Sequence, residues 1–66
     1  MRLIVNGAAW DLPGGATVAE LVRAVTAQER GLAVAVNGEV VPRGGWPARV
    51  LSDGDRVEVL SAAQGG

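Results

Sequence analysis

The sequence predicts an α+β fold: a mixed sheet of four to five strands with one helix packed on one face. Three observations carry this. β-Prone runs are punctuated by two Asn-Gly pairs, Asn6-Gly7 and Asn37-Gly38. One stretch alone, opening at Thr17, has helical periodicity, and the last apolar run alternates strictly from Arg56 to Leu60. Asn-Gly between strand-like runs is a strong hairpin signal, because a type I′ turn needs φ > 0 at both central residues. A single helix with a single apolar stripe covers one sheet face and leaves the other bare.

Residues 2–5 read as the first strand. Leu3 and Val5 face the core with Met1, and the period of two sends Arg2 and Ile4 to the other side. The return strand spans residues 8–12 and closes on Pro13-Gly14-Gly15. Thr17-Val18-Ala19-Glu20 fits a capping box, in which the Thr17 side chain accepts from the Glu20 N–H and Glu20 reaches back to the Thr17 N–H. Val18, Leu21, Val22 and Val25 follow at i, i+3, i+4 and i+7, one apolar stripe. Glu20, Arg23, Gln28 and Glu29 fall on the wet side. Gly31, after Arg30, is placed to end a helix of about three turns.

In the next run Leu32, Val34 and Val36 point inward and Ala33 and Ala35 outward. After Asn37-Gly38 a short return strand, residues 39–41, is stopped by Pro42. Residues 43–49 are loop-like, and Trp46 within them covers the edge of a small core, as does Trp10 on the second strand. Val50 and Leu51 return to the core, and Ser52-Asp53-Gly54-Asp55 is a turn rather than half a calcium loop, since no further ligand spacing follows. In the final strand Val57 and Val59 point in, while Arg56, Glu58 and Leu60 point out. Setting that strand parallel to the first buries both in the centre, the β-grasp arrangement. Its outer face then carries Ile4, Ala33, Ala35, Arg56, Glu58 and Leu60.

Composition narrows the chemistry. The chain has 66 residues, enough for one small domain whose core must be closely packed. Cysteine and histidine are absent, which removes disulfides, thiolate ligands and the usual general base. Lysine and tyrosine are absent too, and all six basic residues are arginine. No nucleophile–base pair can be assembled beyond serine, threonine and carboxylates, so the chain is not expected to be an enzyme. Net charge is −1 with the signs scattered, which supports neither a nucleic-acid nor a membrane partner. The expected address is the cytoplasm. Gly14-Gly15 and Gly44-Gly45 lack the lysine and setting of a phosphate loop.

One group remains. Residues 1–61 read as the folded domain and 62–66 as a flexible tail with nothing to pack. That tail ends in the Gly66 carboxylate, and glycines at 65 and 66 let the backbone thread where a Cβ would clash. The bland alternative is a frayed end on a pure binding module.

These residues resemble the ubiquitin-like β-grasp family, and within it the ThiS family of thiamine-biosynthesis sulfur carriers. The resemblance runs through the opening strand with Asn6, the helix start Thr17-Val18-Ala19-Glu20-Leu21, and Ala35-Val36-Asn37-Gly38-Glu39-Val40-Val41-Pro42-Arg43. It continues through Trp46, Leu51, Asp53-Gly54-Asp55-Arg56-Val57-Glu58 and the closing Gly65-Gly66. It implies a carrier, a monomer when free, that binds no cofactor permanently. A ThiF-type adenylyltransferase would use ATP and magnesium to activate the Gly66 carboxylate. A persulfide derived from a cysteine desulfurase would convert Gly66 to a thiocarboxylate, and thiazole synthase would take the sulfur. Gln64 and Gly65 would thread into the partners, and Ile4, Ala35 and Leu60 would form the docking face. Carriers for molybdopterin synthesis, for other sulfur transfer or for protein conjugation share this terminal chemistry. Length and the segment from Val36 to Trp46 favour the thiazole carrier.

Overall fold

The structure is a computed structural model, and it describes residues 1–28 and 30–61. Five strands, β1 (Arg2–Val5), β2 (Ala8–Asp11), β3 (Leu32–Val36), β4 (Glu39–Val41) and β5 (Arg56–Ser61), form one sheet in the order β2-β1-β5-β3-β4. One helix, α1 (Val18–Val25), packs on it, and a short 3-10 turn spans Arg43–Gly45. β5 runs parallel to β1 and antiparallel to β3.

Both hairpins turn as their Asn-Gly pairs require. Asn6 and Gly7 have φ of 50° and 83°, and Asn37 and Gly38 have 52° and 83°. Each asparagine then reaches onto β5. Asn6 donates its amide to the Val59 carbonyl at 3.0 Å and accepts the Val59 N–H at 2.9 Å. Asn37 accepts the Arg56 N–H at 3.0 Å and donates to the Asp55 carboxylate at 3.0 Å. The two turns therefore also hold the central strand.

The capping box forms as read: Glu20 N–H donates to Thr17 Oγ1 at 3.3 Å, and Thr17 N–H donates to Glu20 Oε1 at 2.9 Å. The two N–H groups ahead of Glu20 donate to the following loop, Val18 to the Arg49 carbonyl at 2.9 Å and Ala19 to the Trp46 carbonyl at 3.2 Å. The helix start is thereby satisfied without water.

Three expectations are corrected. The helix ends at Val25, after eight residues, and not at Arg30. Thr26 is extended, and its hydroxyl accepts the Gln28 N–H at 3.0 Å, a local turn that competes with another helical turn. Gly31 does take φ of +70°, but it leads into β3. Val50 is 56% exposed, bridging Thr17 through its backbone, and only Leu51 enters the core. Adjacent residues of an extended segment point to opposite sides, so the pair cannot both face inward. β2 ends at Asp11, one residue early, where Leu12 N–H donates to the Met1 carbonyl and Met1 NH₃⁺ donates to the Leu12 carbonyl.

The core lies between α1 and the inner sheet face, where Leu3, Val34, Val36 and Val57 meet Val18 and Leu21. Full burial of such side chains stabilises by about 1.5–3 kcal/mol each. Trp46 is only 6% exposed, and its indole N–H donates to the Val41 carbonyl at 2.8 Å. It closes the core edge, and Trp10 packs half-buried against the same core. The Asp53-Gly54-Asp55 turn is held by its own carboxylates, which accept from the N–H groups of Arg2 at 2.7 Å and Ser52 at 2.8 Å.

Candidate functional site

Alternation along five strands gives the sheet a bare outer face. The register sets out its contents. Ala9 stands beside Ile4, Ile4 beside Arg56, Glu58 beside Ala35, Ala35 beside Val40, and Leu60 beside Ala33. Two large apolar side chains stand out, Val40 at 72% and Leu60 at 54% exposed.

The three expected docking residues share this face but do not form one cluster. Ala35 and Leu60 are diagonal neighbours across β3 and β5, close enough for their side chains to share a contact. Ile4 stands level with Arg56, four residues back along β5 from Leu60, or about 13 Å at strand rise. Arg56 and Glu58 intervene, both exposed. Ile4 instead lines a shallow hollow of about 550 Å³ with Asn6, Gly7, Arg56 and Glu58. The apolar patch is therefore Leu60, Ala33, Ala35 and Val40, on the β3–β4–β5 side. Val40 escaped the sequence reading, although alternation with the inward Val41 was enough to find it.

The patch adjoins the place where the chain leaves the sheet, since Leu60 precedes Ser61, the last residue of β5. The other expected site residues, Gln64, Gly65 and Gly66, lie outside the described residues, as do the whole segment 62–66 and Glu29, expected on the wet side of the helix. Five residues span at most about 17 Å when fully extended. Among the described residues no group of three or more His, Cys, Asp or Glu side chains could hold a metal ion, and no helix is long and apolar enough to cross a membrane.

A mixed five-stranded sheet gripping one helix, with its last strand central, defines a ubiquitin-like β-grasp protein. The crystal structure of the thiamine biosynthesis protein (ThiS) from Geobacter metallireducens superposes with a TM-score of 0.83 at 38% identity, over 92% of this chain and 93% of that one. A solution structure of a thiamine biosynthesis protein from the same organism gives 0.75 at 40% identity, over 91% and 81%. The model of the ThiS family matches residues 3–66. The sulfur carrier protein ThiS of Escherichia coli (strain K12) is 32% identical over the full length of both chains. A thiazole synthase of Paramagnetospirillum magneticum is 30% identical to the whole of this chain over 20% of its own length. The chain belongs to the ThiS family.

Proposed function

We propose that this sulfur carrier of thiamine biosynthesis works through its Gly66 carboxylate, which partners convert to a thiocarboxylate and then relieve of its sulfur. A resting carboxylate is a poor acyl donor. A Gly66 oxygen attacks the α-phosphorus of ATP in a ThiF-type adenylyltransferase, with magnesium held by that partner, and pyrophosphate leaves. The terminal sulfur of a persulfide, supplied by a cysteine desulfurase, attacks the carbonyl carbon and AMP leaves. A second thiol cleaves the resulting acyl disulfide, releasing the thiocarboxylate and a disulfide. The need for ATP sets this cycle in the cytoplasm.

The single observation that carries the reading is the match of the family model through Gly66, together with end-to-end alignment to the Escherichia coli carrier. The thiazole synthase relative supports that enzyme as the sulfur acceptor, because a segment like this whole chain forms part of it. The absence of histidine, cysteine and lysine agrees with a protein that is modified by enzymes.

Docking falls to the outer face. Leu60, Ala35 and Val40 form its apolar centre, and Ile4 a separate outlying contact. A partner that covers half-exposed Leu60 gains about 1 kcal/mol from that side chain alone, and main-chain hydrogen bonds along Gln64 and Gly65 add to it. Intact-mass spectrometry after incubation with an activating enzyme, ATP and a sulfur donor tests the chemistry. One sulfur replaces one oxygen, and the gain disappears when Gly66 is deleted; an unchanged mass would reject the carrier cycle at this terminus.

A further inference from the structure

The helix layer, on the far side of the molecule from the docking face, has an open cavity of about 490 Å³. Its lining includes the apolar Ala19, Val22, Ala27 and Trp46 together with Arg23 and Arg43. The cleft lies between α1 with the residues just after it and the segment from Arg43 to Trp46. Thr26 is extended, and there the chain leaves the helix axis.

Charge makes this cleft unlike the rest of the surface. The whole chain carries −1, yet the cleft is lined by two guanidiniums and no carboxylate among the described residues. The ion pairs of the described residues use other arginines, Arg2 with Asp11 and Arg49 with Glu39. Arg23 has a structural use, because a cation in the last helical turn offsets the macrodipole. That does not account for Arg43, which sits on a different element and faces the same cavity. Its guanidinium lies over the Trp46 ring, 5.4 Å from the centroid. Such stacking holds the group in place before any ligand arrives.

We propose that this cleft is a second docking site, taking an acidic segment of a partner protein in which a carboxylate is flanked by apolar side chains. The carboxylate meets the two guanidiniums in charge-assisted hydrogen bonds. Its apolar neighbours lie against Ala19 and Ala27, the more exposed apolar side chains of the lining, contacts that an inorganic anion cannot make. A protein seated here leaves Leu60, Ala35 and Val40 uncovered, so the carrier can be held by one partner while another works at its terminus. The site stands on the cleft's own geometry and does not depend on the chemistry at Gly66.

NMR titration of the full ¹⁵N-labelled chain tests this. The probe is a blocked tetrapeptide of alternating leucine and glutamate, and its leucine–glutamine counterpart is the control. Saturable shifts are expected at Arg23, Gln28, Arg43 and the Trp46 indole N–H, with none from the control. Losing one charge-assisted bond in Arg43→Gln or Arg23→Gln weakens binding about tenfold or more. Arg23→Gln leaves the Trp46 packing alone, so a folding defect in the other variant does not blunt the test. Three results overturn the proposal: no saturable shifts, equal shifts from the glutamine peptide, or equal shifts from inorganic phosphate, which would mean an adventitious ion only. Shifts that grow with protein concentration in the absence of peptide would assign the cleft to a second copy of the chain and overturn it as well.

Discussion

The two faces of the sheet are built from the same strands by the same alternation, yet they have opposite relations to water. Inward, Leu3, Val34, Val36 and Val57 are almost wholly buried against α1. Outward, Leu60 and Val40 stay more than half exposed although nothing in their strands prevents burial. The described residues form one α-helix, and one helix covers one face. The bare face thus follows from having a single helix layer, and the difference separates the side chains that hold the fold from those that do not. Side chains on one side set whether the domain folds, and side chains on the other can change with little effect on folding.

Truncation of the inner face should have the largest effect. Leu3→Ala or Leu21→Ala is expected to cost about 2–5 kcal/mol, a large share of a stability of about 5–10 kcal/mol for a domain of this class. Urea denaturation followed by tryptophan fluorescence reads this as a collapse of the midpoint, and a shift within error would mean that the core is not where the burial places it.

Asn6→Asp comes next, because it leaves the shape of the turn intact. The Val59 N–H keeps its acceptor, but a carboxylate oxygen now faces the Val59 carbonyl where an amide donated. A loss of about 1–3 kcal/mol is expected in the same denaturation experiment. An unchanged midpoint would show that the turn, and not the clamp on β5, is what the asparagine supplies.

Outer-face substitutions sharpen the contrast. Leu60→Glu and Val40→Glu are each expected to move stability by no more than about 0.5 kcal/mol, while kcat/KM for adenylation of the carrier falls about tenfold. Ile4→Asp should weaken adenylation less, because Ile4 sits apart from the patch. Equal kinetics for all three would remove the apolar patch as the docking centre. The smallest effect belongs to the surface ion pairs. Arg2→Gln, which breaks an exposed contact at 3.4 Å to Asp11, should cost about 0–1 kcal/mol, readable as a small drop in the urea midpoint.

Much of this was legible in the sequence where the cause is local. The Asn-Gly turns depend on two residues and the capping box on four, and both formed as read. The parallel placement of the final strand followed from burying two apolar strands at once. Helix length was not legible, because Gly31 after Arg30 reads as the C′ residue, while the Thr26 hydroxyl captures the Gln28 N–H and the helix ends at Val25. The make-up of the outer patch was half legible. Strand alternation names the outward residues, but only the register of β5 against β3 separates Ile4 from Ala35 and Leu60. The cleft beside Trp46 was hidden because it brings together residues of α1 and of the segment after β4, which only the tertiary fold sets side by side.

The central place of β5 also governs when this protein can exist at all. β5 is the last strand in chain order, and it alone joins the β1–β2 hairpin to the β3–β4 hairpin. A nascent chain lacking it holds two separate hairpins, each marginal in water, and no continuous sheet. Closing the sheet pairs residues far apart in sequence, Ile4 with Arg56 and Val5 with Val57, so the sheet cannot close before β5 has been made. The apolar patch on β3, β4 and β5 comes into being in the same step, because Leu60 joins Ala35 and Val40 only when β5 pairs with β3.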